Sequence, residues 1–215
     1  MNTYIREPIN GLTHLAGALL SFVGLLALVI KASLTTGSPL AITAVMIFGI
    51  SMILLYTASA TYHMVISKES VIAFLRRIDH SMIFLLIAGS YTPFCLISLN
   101  GATGWTLFGI IIGAAATGIL FKMVWFKSPR WLSTSIYIIM GWMVIFVISP
   151  LSSVLNAGGI FWLVAGGIMY TIGGVIYALK PAFLQSKYLG FHEIFHIFIM
   201  LGSLAHFLSV YHYVL

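Results

Sequence analysis

This sequence predicts an all-α integral membrane protein, a seven-transmembrane helix bundle in a single domain over residues 1–215, and three observations carry that expectation. The chain is 61% hydrophobic, with a mean hydropathy of +1.11. Only 7% of its residues are charged, where soluble domains carry about 25%, so too few charges exist to coat a water-facing surface. The apolar residues fall into seven runs, each close to the roughly 20 residues that carry a helix across hydrocarbon. A β-barrel would instead show ten-residue segments of alternating polarity, and these runs do not alternate.

The runs follow one another with soft edges at about 11–31, 40–66, 78–98, 104–121, 132–149, 158–179 and 191–213. The first is about twice as long as a signal peptide's apolar core and lacks a clear cleavage pattern, so it reads as a retained helix. Thr36-Gly37-Ser38-Pro39 separates it from the second. Before the third, Val71 to Leu75 is expected to lie along the membrane interface, with Arg76 and Arg77 at lipid phosphates. Pro93 is expected to kink the third helix. Asn100-Gly101, Ser128-Pro129, Asn156 to Gly159, and Lys180-Pro181 punctuate the remaining breaks. Gly109-xxx-Gly113 and the glycine pairs 166–167 and 173–174 offer places for close helix contact.

Charge orients the bundle. With the N-terminus cytoplasmic, that side receives Arg6, Lys68, Arg76, Arg77, Lys122, Lys127, Arg130, Lys180 and Lys187, leaving only Lys31 outside. The positive-inside rule therefore predicts a cytoplasmic N-terminus and an external C-terminus. The same rule accounts for the net charge of +6 without a nucleic-acid partner. A single cysteine, Cys95, excludes an intramolecular disulfide and any cysteine-based zinc motif.

Ionisable groups inside membrane spans cost about 2.5–3.5 kcal/mol for a central Asp on insertion scales, so each one needs a reason. The chain has four acidic residues and seven histidines. Glu7 and Glu69 fall in aqueous segments, while Asp79 and Glu193 open the third and seventh helices. His192 and His196 are spaced i, i+4, on one face, and separated by about 6 Å of rise. That spacing lets two imidazoles grip one ion. His63, with Ser59 four residues before it, ends the second helix at the same depth, and Asp79 begins the third there too. Three imidazoles with one open position form the usual arrangement of catalytic zinc. Imidazole suits iron and other transition metals as well, so the residues alone leave the metal open. A single Asp is too little for a magnesium or calcium cage. His14 begins the first helix at the right level for a neighbour of the ligands. His80 points about 100° away from Asp79 and is the weaker candidate. His206 lies about 15 Å deeper than His196, too far to share an ion, and is expected to hydrogen-bond within the bundle. Glu193 turns from His192, as a carboxylate near a helix N-terminus.

These residues carry a resemblance. Ser59-Ala-Thr-Tyr-His63, Ile78-Asp79-His80-Ser81 followed by Ala88-Gly89-Ser90-Tyr91-Thr92-Pro93, and His192-Glu-Ile-Phe-His196 with Ala205-His206-Phe207 resemble the bacterial hemolysin III family. That family belongs with the progestin and adiponectin receptors and, more distantly, the alkaline ceramidases. The likeness spans nearly the whole chain, in motif order and helix placement. It implies a multi-pass protein of the bacterial inner membrane, with zinc held by His63, His192 and His196 and with Ser59 and Asp79 beside the ion and its water. Eukaryotic members carry an N-terminal cytoplasmic domain that has no counterpart here, so hormone recognition does not transfer. The leading expectation is a zinc-dependent hydrolase of a membrane lipid amide or ester, with Asp79 taking a proton from water and Ser59 holding water or oxyanion. The alternative is a membrane lipid sensor in which zinc staples helices. A cytolytic pore, which the family name suggests, finds little support, since few charges are available to line an aqueous channel.

Overall fold

The computed structural model describes residues 4–125, 127–186 and 189–215. Among them no strand occurs, and seven helical spans are long and apolar enough to cross a membrane. The order is α1 (Pro8–Thr35), α2 (Pro39–Met64), α3 (Glu69–Pro93), α4 (Ala102–Val124), α5 (Arg130–Gly141), α6 (Ile148–Val154), α7 (Ala157–Leu179) and α8 (Phe191–Ser209). A 3₁₀ segment, Trp142–Val147, joins α5 and α6 into the fifth span. Pro8 and Pro39 open α1 and α2, where a missing N–H is harmless. The Asn156 side chain accepts the Gly159 N–H at the start of α7, at 3.1 Å.

α1 packs along α2, α2 along α3, α3 along α4, and α7 along α8, with α5 resting on α7. One core gathers Leu28, Phe48, Met52, Tyr56 and Leu86, and a second gathers Phe84, Ile111, Cys95 and Met140. The opposite helix faces stay apolar and exposed: Leu19, Leu20 and Val23 on α1 are each more than 60% accessible. Such faces are stable only against lipid tails. The chain is thus a multi-pass membrane protein.

Three details differ from the sequence reading. Val71 to Leu75 is continuous with α3, which begins at Glu69. The charged residues 76, 77, 79 and 80 depress hydropathy locally but cost the helix none of its backbone bonds. Past Pro93, which donates no hydrogen bond, the third span continues as a π turn, Phe94–Ser98. Gly109 and Gly113 have nothing within 4 Å of where a Cβ would stand, so they mediate no contact within the chain. The pairs on α7 do meet a neighbour, Gly166 lying against His206 and Gly173 against Phe198 of α8, and further close approaches occur on other helices. A Cβ on Gly89 would overlap the Ser51 hydroxyl of α2, and one on Gly104 would overlap the Cys95 carbonyl.

The interrupted fifth span has a specific supporter. The Tyr91 hydroxyl donates to the Gly141 carbonyl at 2.6 Å and accepts the Val144 N–H at 2.9 Å. Backbone groups freed from the α pattern are thereby paired inside a bilayer, where water cannot pair them. Across the bundle, the Trp142 indole donates to Thr171 on α7 at 2.9 Å.

Tyr91→Phe is expected to cost about 1–3 kcal/mol, because it strands those backbone groups. A thermal melt in detergent matching that of the wild type would show that the hydroxyl is not needed there. Gly89→Ala should lose about 1–3 kcal/mol by forcing α2 and α3 apart, while Gly109→Ala, facing open space, should lose nothing in the same assay.

A three-histidine cluster at one end of the bundle

The site forms where the chain leaves α2 and enters α1, α3 and α8. Two backbone bonds lash the segment before α1 to the end of α2: Glu7 N–H donates to His63 O at 2.9 Å and Arg6 N–H to Met64 O at 3.4 Å. The Arg6 guanidinium also reaches the Tyr62 carbonyl and lies over the Tyr62 ring. On α8, the Glu193 carboxylate accepts the Gly190 N–H and the Asn10 side-chain N–H, both at 2.8 Å, closing the helix start onto α1. The N-terminal-carboxylate reading of Glu193 is therefore correct, with Asn10 as an added partner.

His63, His192 and His196 come together there. Their ring centroids lie 4.6–5.1 Å apart, and one nitrogen from each falls within 4.8 Å of the others. His63 and His196 are buried; His192 is partly so. His63 Nδ1 lies 2.6 Å from Glu7 Oε2, so the ring donates its proton to that carboxylate. Its Nε2 is left with a bare lone pair facing His192 Nε2 at 3.3 Å. Two imidazoles on a tetrahedral ion at 2.0–2.1 Å would hold their nitrogens about 3.3 Å apart. His196 Nδ1 is buried without a hydrogen-bond partner. A carboxylate that fixes the tautomer of a histidine, two ring nitrogens at coordination spacing, and a third ring's nitrogen left unpaired all fit a divalent cation with affinity for imidazole. The cluster can hold a metal.

Glu7 escaped the sequence reading, which placed it in water. Its side chain is 39% exposed, and burial by itself would raise its pKa. The hydrogen bond from His63, then Arg6 and Asn10, outweigh burial and hold the carboxyl below its ordinary range. This contact stabilises the fold fully above the unfolded carboxyl's pKa and is lost as the pH falls through the depressed value. A signal was available: Glu7, Asn10 and His14 recur at the spacing of one helix face, starting at the N-terminal boundary of α1.

The other candidates take distinct places. Ser59 and Asp79 are buried, hydrogen-bonded to each other, and line a cavity of about 170 Å³ that His192 and His196 also line. His14 stacks on His196 with centroids 3.6 Å apart, and both its nitrogens are unpaired. His80 lies apart from the cluster, its Nε2 3.4 Å from the Tyr177 hydroxyl. His206 is deeper in the bundle, where its Nε2 donates to the Leu163 carbonyl at 3.2 Å and its ring packs on Tyr170.

Seven apolar spans closing over a trihistidine cluster at one end define the class: a polytopic membrane protein with a built-in candidate metal centre. A family model described as "Haemolysin-III related" matches residues 2–207. Hemolysin-3 of Bacillus cereus is 42% identical over 216 residues, covering 100% of this chain and 95% of that protein. The Hemolysin-3 homolog of Bacillus subtilis (strain 168) is 40% identical over 213 residues, covering 99% and 96%. The chain belongs to the hemolysin III family, and it is a multi-pass bacterial membrane protein.

Replacing the carboxylate that orients His63 gives a direct check. Glu7→Gln should weaken metal retention about 10- to 100-fold in a chelator challenge read by elemental analysis, with helix content unchanged. Retention equal to wild type would mean that Glu7 plays no part in holding an ion.

Proposed function

We propose that this protein is a zinc-dependent hydrolase of a membrane lipid amide or ester, with the histidine cluster at the cytoplasmic face and the C-terminus outside. One observation carries the proposal. Two of the three clustered imidazoles, His192 and His196, line a cavity that a buried carboxyl, Asp79, and a buried hydroxyl, Ser59, also line. Of the basic residues that orient the bundle, Lys187 lies outside the described residues; the remaining eight still stand against Lys31.

His63, His192 and His196 would hold the ion, and zinc there would supply Lewis-acid polarisation of the carbonyl and of a water. Asp79 accepts one proton as the water oxygen bonds to the acyl carbon, then returns it to the departing nitrogen or oxygen as the carbon–heteroatom bond breaks. Protons balance, and the carboxyl ends as it began. Ser59 orients Asp79 while that group is a carboxylate, and once Asp79 carries the proton the Ser59 hydroxyl is released to donate toward the developing oxyanion. The lining is otherwise largely apolar, as an acyl chain requires, with Leu55, Ile83, Leu86, Ile138 and Val144 among its walls.

A second reading has its own support: the ligands tie α2 to α8 across a gap of 129 residues, so a metal would staple the bundle without chemistry. Asp79→Asn separates the two. Under the hydrolase reading, purified Asp79→Asn keeps its zinc and loses about 10²–10⁴-fold in turnover of a susceptible lipid, while His196→Ala loses both metal and turnover. Wild-type protein that binds zinc yet hydrolyses nothing in an amide and ester lipid panel would end the hydrolase reading.

A further inference from the structure

The hydrolase reading leaves one wall of the cavity without a task. Away from the histidines, the lining brings together Arg76 of α3, Lys122 of α4 and Arg130 of α5, with Ser128, Ser133 and Thr134. Asp79 is the sole acidic residue among the described lining residues. Three cationic groups therefore face one carboxyl.

Membrane topology accounts for basic residues at this end of the bundle, but not for where these three point. Lys68, Arg77 and Lys127 are exposed, as residues that answer to lipid headgroups and water should be. Lys122 is only 3% exposed. Its ammonium donates to the hydroxyls of Ser128, at 3.2 Å, and Ser133, themselves 3.2 Å apart. Two groups beside it are underused: Arg130 Nη1 and Thr134 Oγ1 are buried without hydrogen-bond partners. Thr134 is 4% exposed.

This basic wall adjoins the histidines through one ring. The Arg130 guanidinium lies 5.5 Å from the centroid of Tyr177, and the same ring is 5.8 Å from His192. Arg76, Lys122 and Arg130 are all charged neighbours of His80, whose Nε2 is 3.4 Å from the Tyr177 hydroxyl. A molecule presenting an acyl carbonyl to the histidines thus has the Arg130 guanidinium one phenol ring away, with Arg76 and Lys122 lining the same cavity. Guanidinium groups and an ammonium backed by hydroxyls form the donor set that takes phosphate oxygens.

We propose that Arg76, Lys122 and Arg130, with Ser128, Ser133 and Thr134, form an anion-binding subsite, and that the lipid taken by this cavity carries a phosphate headgroup. The inference names the substrate class for the hydrolase reading and rests on it for the word substrate; the binding claim stands by itself.

Binding to purified, zinc-loaded protein in detergent is compared for three probes: a monoacyl glycerophosphate, the monoacylglycerol of the same chain length, and inorganic phosphate. Native mass spectrometry counts the bound lipid. Wild type should favour the phosphate lipid over the neutral one at least 10-fold. Lys122→Met and Arg130→Gln should each cut that preference at least five-fold while leaving the neutral lipid's affinity and the zinc content unchanged. Lys122→Arg, which keeps the charge, should retain most of the preference and guards against a variant that merely misfolds. Equal binding of both lipids by wild type, or a preference untouched by both charge-removing variants, would overturn the subsite. Displacement of the phosphate lipid by an equal concentration of inorganic phosphate would overturn the lipid assignment and make this a free-anion site. His196→Ala is run alongside: headgroup preference persisting there, with no lipid hydrolysed by wild type, refutes the hydrolase and keeps the subsite. Wild-type protein that hydrolyses the phosphate lipid and the neutral lipid at equal rates, with Lys122→Met unchanged on both, does the reverse.

Discussion

A bilayer offers buried polar groups no water, and the whole arrangement of this protein follows from that. Each polar group in a span must find its partner within the chain or in a ligand, since an unpaired one costs several kcal/mol. Most have done so. Tyr56 and Tyr170 share the Ser203 hydroxyl at 2.6 and 2.9 Å, Ser209 donates to the Gly159 carbonyl at 2.9 Å, and Tyr91 repairs a broken helix. Against that background, the unpaired nitrogens of His14 and His196 and the unpaired donors along the basic wall stand out as places prepared for something the chain does not itself supply.

The two ends of the cavity are chemically complementary. Imidazole nitrogens suit a cation, and guanidinium and ammonium groups suit an anion. They share one cavity, divided by Tyr177. A lipid with an electrophilic carbonyl and a charged headgroup answers both ends at once, while its acyl tail suits the apolar walls between them.

The spans were legible because hydropathy over 20 residues records the solvent, and the solvent here is uniform. Their ends were not. The start of α3 was hidden by Arg76, Arg77, Asp79 and His80, which lower hydropathy within an unbroken helix. The 3₁₀ break after Gly141 fell inside an apolar run that reads as one helix, although Pro150, with no N–H to give, was a clue. The glycine spacing at 109 and 113 promised packing that the structure assigns instead to Gly89, Gly104 and Gly118. Spacing along one helix says nothing of which face meets a neighbour. His63, His192 and His196 could be grouped by depth alone, since residues at the same ends of antiparallel helices share a level. Glu7 could not, because its role depends on where the chain runs before α1, and that is set by tertiary contacts with α2.

The third span, Glu69–Ser98, contains 30 residues, or about 45 Å of helix at 1.5 Å per residue. Hydrocarbon is only about 30 Å thick. The surplus must be absorbed by leaning or by projecting into the headgroup layer, and the balance shifts with the thickness of the surrounding bilayer. Asp79 rides on that rod, close to the projecting end. A change in the thickness of the host bilayer therefore changes the depth at which the start of α3, and Asp79 with it, stands relative to the hydrocarbon.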